Sequence, residues 1–141
     1  MPRVAKGHIE QLPSGSFRVS VYAGMDPLTR RAIRLKSTVR TEQQAHIELG
    51  RLLTAKAAWK LDQGDFARKE VSMAKVQVSE ALHKAVDTAI QLCGARGYSK
   101  DTPLEWMYRY ARQARLVDGA SEVHKMVLAG AFLTEGTDFW S

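Results

Sequence analysis

The hydrophobic period of the sequence changes at Thr41, and this change sets the fold class. Before it, residues 16–23 and 32–37 alternate apolar and polar side chains, as half-buried strands do. After it, apolar residues recur every three or four positions, which is typical of helices. We therefore predict an α+β fold, with a three-stranded antiparallel sheet and one helix followed by an antiparallel helical bundle segment.

Four helices are predicted after the sheet. Thr41 and Gln44 have the spacing of a capping box, so the first helix begins after Thr41, and we expect it to end near Leu61, before Gly64. The other three are expected over 66–92, 103–117 and 122–133, with Asp65, Thr102 and Ser121 as their N-caps.

The longest predicted helix, 66–92, carries an unusually wide apolar stripe. The stripe consists of Val71, Val78, Leu82, Ala85, Ala89 and Leu92, and it is broadened by Val76, Val86 and Ile90. Glu70 and Gln77 belong to the polar stripe of the same helix. So wide an apolar stripe predicts a helix that packs against more than one neighbour.

The positive charge is concentrated in the first third of the chain. Residues 1–41 hold eight bases and two acids, which accounts for the whole net charge of +6, whereas residues 42–141 hold 13 of each. The open face of the predicted sheet carries Arg18, Tyr22, Arg34 and Lys36. Such a face can enter the major groove of double-stranded DNA. A basic face that is simply solvated is the alternative interpretation.

Composition predicts a cytoplasmic protein with no membrane partner. No apolar stretch approaches the ~20 residues of a membrane-spanning helix, and no cationic start precedes an apolar run. Cys93 is the single cysteine, so neither an internal disulfide nor a cysteine-based metal cluster is expected. We predict no metal site.

Three local features of the helical part are candidate sites. The segment Gln91–Gly97 is a glycine-bearing helix end that a ligand can approach closely, or an ordinary helix C-cap. Asp118 precedes Gly119 between two helices, where its carboxylate can abstract a proton or serve helix capping. A third feature is an anion site or an ion-paired face, formed by Arg109, Arg112 and Arg115.

The basic segment resembles the N-terminal arm-type DNA-binding domain of phage-type tyrosine recombinases, the integrases. The resemblance covers about residues 5–55 and depends on Gly7-His8-Ile9, Ser14–Val19, Val21–Gly24, Asp26-Pro27-Leu28-Thr29 and Thr38–Thr41. It implies a three-stranded sheet plus a helix, with the sheet in the major groove.

The helical segment resembles the C-terminal helical domain of acyl-CoA dehydrogenases, from about Ile47 to Trp140. The motifs are Ala57–Gly64, Lys69–Lys75, Gln91–Gly97 and Asp118–Lys125. The resemblance implies that FAD takes a hydride from the β-carbon of an acyl-CoA while Asp118 removes the α-proton. It further implies FAD contacts across the subunit interface of a homo-oligomer, by Gln91, Gly94 and Ala95, and contacts near the flavin, by Ala120, Ser121 and Glu122.

The two resemblances meet within one predicted helix. We expect an integrase-like segment over 1–55 and a dehydrogenase-like segment over 56–141, joined as a fusion. The central flavin domain of a complete dehydrogenase has no counterpart in this sequence, so we expect the fragment to be inactive alone. The two functions that compete are a piece of the acyl-CoA dehydrogenation machinery and a small DNA-binding protein.

Overall fold

The computed structural model describes residues 7–136 and residue 139, and it confirms the α+β fold. Within that part, an antiparallel sheet in the order β1-β2-β3 precedes five helices. The strands are β1 (His8–Gln11), β2 (Phe17–Met25) and β3 (Ala32–Val39). Arg3 and Lys6, two of the eight basic residues in the first third of the chain, lie outside the described residues.

The five helices begin directly after the sheet. They are α1 (Glu42–Asp62), α2 (Arg68–Cys93), α3 (Ala95–Tyr98), α4 (Leu104–Gln113) and α5 (Ser121–Glu135). The capping box at the start of α1 is confirmed, because the Thr41 hydroxyl accepts from the Gln44 amide at 3.2 Å and the Gln44 side chain accepts from the Thr41 amide at 3.3 Å. The single turn α3 was not predicted.

One core joins the sheet to the first two helices. Val19 and Val21 of β2 pack with Leu49 and Leu53 of α1, and Ala74 of α2 belongs to the same buried cluster. The apolar side of α1 therefore covers the inner face of the sheet. The predicted boundary between positions 55 and 56 falls inside α1, which is one continuous helix.

The apolar stripe of α2 is a different case. The prediction that it is buried is wrong at Val71, Val78 and Leu82, which are all more than a third exposed. Val86 of the predicted stripe is buried, but the other buried side chains of the helix are small or polar, namely Glu70, Ser72, Ala74 and Ser79. The prediction that this helix packs against more than one neighbour is confirmed, since α1, α4 and α5 all contact α2, and their positions decide which sides of it are covered.

The three other predicted N-caps are also wrong, because each side chain has another partner. The Asp65 carboxylate accepts from the Ala67 amide at 3.2 Å, before α2 begins. The Thr102 hydroxyl donates to the Arg96 carbonyl at 3.3 Å. Ser121 is the first residue of α5, and its predecessor occupies the N-cap position with no side-chain hydrogen bond.

Candidate active site at the start of the last helix

Asp118 lies in the connection between α4 and α5 in an unusual backbone conformation. Its φ is +55°, in the left-handed region that residues other than glycine rarely adopt. Gly119 follows with a φ of +89°. The side chain of Asp118 is exposed. The structure therefore presents the predicted base to solvent from a sharply turned segment.

His124, one turn into α5, holds this segment against α2. Its Nε2 lies 3.1 Å from the carbonyl oxygen of Asp118, and its Nδ1 lies 3.0 Å from the hydroxyl of Ser72. A carbonyl only accepts, so the partners assign the proton of the neutral imidazole to Nε2, and the Ser72 hydroxyl donates to Nδ1. Ser72 is only 2% exposed. The Asp118 backbone is thus connected to the interior of α2.

A second connection runs through Ser121. Its amide donates to the Arg115 carbonyl at 3.0 Å, and its fully buried hydroxyl lies 3.4 Å from Nζ of Lys75. The Lys75 ammonium is 3.5 Å from the same Arg115 carbonyl. These contacts join the end of the α4–α5 connection to Lys75 of α2, which lies about one turn after Ser72 on that helix. Ser121 is therefore a buried anchor of the turn.

The sequence did not single out Ser72, Lys75 or His124 as site residues. Ser72 and His124 are 52 positions apart, and Lys75 and Ser121 are 46 apart. A local pattern cannot report such pairs. The available signal was that both segments, 69–75 and 118–125, belong to the motifs of the dehydrogenase resemblance.

The predicted cofactor-binding residues form two separate groups. Ala120 and Glu122 flank Ser121 near the N-terminal end of α2, and Glu122 is exposed. Gln91 lies 19 residues beyond Ser72 on the same helix, a distance of about 28 Å at the rise of an α-helix. The structure therefore does not bring the two groups together within one chain.

The group at the far end of α2 leaves its backbone accessible. Gly94 has φ +58° and ψ −142°, a backbone conformation that is unfavourable for residues with a Cβ atom. A Cβ built on it would meet no atom within 4 Å. Gln91 and Ala95 are exposed on either side. Open backbone next to an exposed amide fits the close approach of a dinucleotide such as FAD.

An ion cluster at the junction of α1 and α2 lies apart from these groups. The Glu70 carboxylate, 3% exposed, is 2.8 Å from Nζ of Lys60 and 3.9 Å from Nζ of Lys56. Burial lowers the pKa of Lys56, although Glu70 opposes this shift. Burial also acts to lower the pKa of Lys60, but hydrogen bonds and Coulombic attraction from Glu70 and Asp65 outweigh it, so that pKa is raised.

The predicted DNA-binding residues lie on two strands. Arg34 pairs with Tyr22 across β2 and β3, and Lys36 pairs with Ser20. Arg18 lies 3.8 Å from the carboxylate of Glu10 in β1. Tyr22 was expected on the open face of the sheet. In the structure its ring is near α1, because the Lys56 ammonium lies 5.6 Å from the ring centroid. A bulge between Tyr22 and Gly24 accompanies this contact.

The arginines of α4 do not converge. Arg109 pairs with Glu105 at 3.2 Å, one turn earlier on the same helix. Arg112 is exposed, and Arg115 follows the last residue of α4.

Among the residues that the structure describes, no three potential ligands gather to hold a metal ion. No helix within 7–136 combines the length and apolarity needed to cross a membrane.

Known proteins match the chain over most of this architecture. A family model described as the C-terminal domain of acyl-CoA dehydrogenase matches residues 32–133. "Acyl-CoA dehydrogenase family member 11" of Gallus gallus is 48% identical over 90 residues, covering 62% of this chain and 12% of that protein. A "3-(aryl)acrylate reductase" of Clostridium sporogenes is 39% identical over 90 residues, covering 64% and 24%.

A further relative covers more of the chain. The mitochondrial "Short-chain specific acyl-CoA dehydrogenase" of Bos taurus is 38% identical over 108 residues, which are 76% of this chain and 26% of that protein. The chain thus spans between about an eighth and a quarter of the length of these relatives. The family model includes β3 and α1 as well as the later helices.

Proposed function

This chain belongs to the acyl-CoA dehydrogenase family, and we propose that residues 56–141 contribute the base and part of the cofactor site for α,β-dehydrogenation of an acyl-CoA thioester. The observation that carries the proposal is the exposed Asp118 carboxylate on a left-handed turn that contacts α2 through His124. A base must be fixed in place to act on a C–H bond, because misplacement by an ångström costs much of the rate.

In this proposal the carboxylate of Asp118 removes the α-proton of the thioester. FAD, when bound, supplies the acceptor for the hydride that leaves the β-carbon. The chain's own residues hold the base and shape its surroundings. Ala120, Ser121 and Glu122, which follow Asp118 and Gly119, are the residues proposed to lie near the flavin. Buried Ser121 acts by anchoring this segment to Lys75, and exposed Glu122 is available for direct contact.

Gln91, Gly94 and Ala95 are proposed to contact the dinucleotide part of FAD. Ser72, which contacts His124 beside Asp118, and Gln91 are about 28 Å apart along α2, so we propose that the two groups serve FAD molecules in different subunits of a homo-oligomer. Large apolar side chains support assembly, since Leu92 on α2 and Met126 and Leu133 on α5 are each at least 74% exposed.

Flavin binding and reduction test this function. The purified chain is mixed with FAD and with the separately produced N-terminal and central domains of a short-chain acyl-CoA dehydrogenase, gel-filtered, and then treated with butyryl-CoA while the visible flavin absorbance is followed. We expect retained flavin and bleaching in the mixture that contains the parent chain, and no bleaching by the parent chain alone. Asp118→Asn should keep the flavin, but its rate of bleaching should fall at least ~100-fold, which is within the range that a general base usually contributes. Gly94→Val should lose the flavin itself.

One control variant and two outcomes define what would contradict the proposal. Glu105→Gln removes a partly exposed carboxylate that pairs with Arg109 on α4, and it should leave both measurements unchanged. Failure of the mixture with the parent chain to retain FAD, or bleaching with Asp118→Asn at the parent rate, would refute the proposal.

DNA binding by residues 1–55 is the second candidate function. It is favoured by the sheet itself, in which α1 covers one face while Arg18, Arg34 and Lys36 are exposed. The excess positive charge of the chain lies in this segment. In this proposal Arg34 and Lys36 contact the duplex, and Arg18 exchanges its Glu10 partner for a phosphate or base.

A gel shift with a random duplex tests this second function. Arg34→Gln and Lys36→Gln should each weaken binding, and added salt should weaken it in the parent chain. Lys84→Gln on α2 removes the same charge away from the sheet and serves as the control. Equal affinities for all four proteins, or no shift at low salt, would exclude the sheet as a DNA-binding surface.

A further inference from the structure

We propose that His124 is a positioning residue that fixes the backbone of Asp118 in its left-handed conformation. The inference deepens the proposed function, on which it depends for the assignment of Asp118 as the base. His124 contacts the carbonyl oxygen of Asp118 at 3.1 Å and leaves the exposed carboxylate open to a substrate. It therefore acts on the carboxylate through the backbone.

The turn needs an external support of this kind. Left-handed φ values crowd Cβ against the backbone, so a residue such as Asp118, at +55°, stays there only when its surroundings hold it. The Nε2–H of His124 supplies that support by donating to the carbonyl of the residue that carries the strain. No side-chain cap at the N-terminus of α5 does so.

Gly119 makes room for the imidazole. A Cβ at this position would lie 3.0 Å from Nε2 of His124, which is tighter than ordinary contacts allow. Its own φ of +89° also favours glycine. Asp118, Gly119 and His124 therefore form one unit in which the glycine permits the contact that the histidine makes.

Ser72 connects this unit to the rigid part of the fold. Its hydroxyl lies 3.0 Å from Nδ1 and is almost fully buried on α2. Because α2 is 26 residues long and packs against α1, α4 and α5, it provides a fixed reference for the imidazole. The position of the carboxylate is then set by α2 instead of by its own loop.

Two amide substitutions separate the two contacts of the imidazole. In His124→Gln the amide nitrogen reaches the place of Nε2, so the donor to Asp118 is kept and the Ser72 contact is lost. In His124→Asn the amide reaches only the place of Nδ1, so the Ser72 contact is kept and the donor to Asp118 is lost. His46→Asn, on α1, is the matched control, because this histidine is remote in sequence from Asp118 and its side chain is 43% exposed.

The readout is the backbone conformation of Asp118 in the isotopically labelled chain. Its amide–α-proton coupling and its Cα and Cβ shifts report a positive φ, and imidazole nitrogen shifts report the Nε2–H tautomer. We expect a positive φ in the parent, His124→Gln and His46→Asn proteins. In His124→Asn we expect averaging toward negative φ and exchange at least ~10-fold faster at the Ser121 amide, which donates to the Arg115 carbonyl in the parent.

Retention of the parent coupling and exchange in His124→Asn would overturn the inference, and so would an Nδ1–H tautomer in the parent. This measurement needs neither flavin nor acyl-CoA. Failure of the mixture with the parent chain to bleach flavin therefore refutes the proposed function and leaves the role of His124 standing. Where bleaching occurs, His124→Asn should slow it without loss of flavin, and His124→Gln should restore it; parent-like bleaching in His124→Asn would count against the positioning role.

Discussion

Nζ of Lys60 lies 2.8 Å from Oε1 of Glu70, a carboxylate whose side chain is 3% exposed. The Lys56 ammonium is 3.9 Å from the same oxygen and is itself almost buried. The two lysines differ in how well they are hydrated, because a quarter of the Lys60 side chain reaches solvent. Lys60 is therefore the principal partner of Glu70, and Lys56 is a buried charge that Glu70 only partly compensates.

Substitution of the two lysines should have unequal effects on stability. Lys60→Met leaves the buried Glu70 with its weaker partner, and we expect a loss of about 2 kcal/mol, below the ~3–5 of fully buried pairs because Lys60 is partly hydrated. Lys56→Met removes a buried charge and keeps the short pair, so it should change stability by no more than about 1 kcal/mol. Urea unfolding measures both, and an equal loss in the two variants would contradict the assignment.

The pH dependence of these two variants should have opposite signs. The pKa of Lys60 is raised in the folded chain, so its contribution to stability is present below its ordinary pKa of about 10.4 and is lost as pH rises through the folded value. The stability difference between the parent and Lys60→Met should therefore shrink in alkali.

For Lys56 the same reasoning is reversed. Burial lowers the pKa of Lys56, so its charged form opposes folding, and this penalty disappears as pH rises from the lowered folded value to the ordinary one. The parent should gain stability relative to Lys56→Met over that range. Urea unfolding at a series of alkaline pH values tests both signs, and parallel curves for the two variants would show that the charges do not titrate as described.

The capping box at Thr41 should account for a measurable part of the stability of α1. Thr41→Ala removes the acceptor of the Gln44 amide and should cost about 1 kcal/mol. Thr88→Ala removes a threonine whose hydroxyl donates within an exposed turn of α2, and it should change stability by less than about 0.5 kcal/mol. Thermal unfolding compares them; a Thr41→Ala protein as stable as Thr88→Ala would mean that the cap does not stabilise the helix.

Two glycine-to-alanine substitutions should move stability in opposite directions. At Gly119 the added Cβ meets His124 and the backbone has a positive φ, so we expect a loss of about 1–2 kcal/mol. At Gly130, inside α5, a Cβ meets nothing within 4 Å, and alanine should stabilise by about 0.5–1 kcal/mol. Differential scanning calorimetry provides the comparison. Stabilisation at Gly119 would show that the turn relaxes without the histidine contact.

Elements whose signals are local were predicted well. The strand alternation around Val19 and Val21, the capping box at Thr41 and the end of α1 before Gly64 all agree with the structure. The face of α2 was predicted poorly, since apolar Val78 is exposed and Glu70 is buried. Glu70 can be buried because Lys56 and Lys60 reach it from α1, and nothing near Glu70 in the sequence announces that.

The candidate site divides in the same way. Asp118 and its neighbouring glycine could be selected from the sequence, because a carboxylate and a glycine between two predicted helices form a recognisable local pattern. The contacts of His124 and Ser121 could not, because their partners on α2 are 52 and 46 positions away. The assignment of Asp118, Gln91 and the other site residues to roles in catalysis or cofactor binding stays a prediction until the flavin experiment is done.

The order of the strands and of the four longer helices, and the approximate positions of their ends, followed from the sequence alone, because backbone preferences and hydrophobic period act over a few residues. The packing of the helices decided the rest. It determined which face of α2 is covered, which of the predicted N-cap side chains have other partners, and how Asp118 is held. Burial and hydrogen bonding depend on neighbours brought close by the whole chain, and a side chain takes the best partner within reach whatever its position in the sequence.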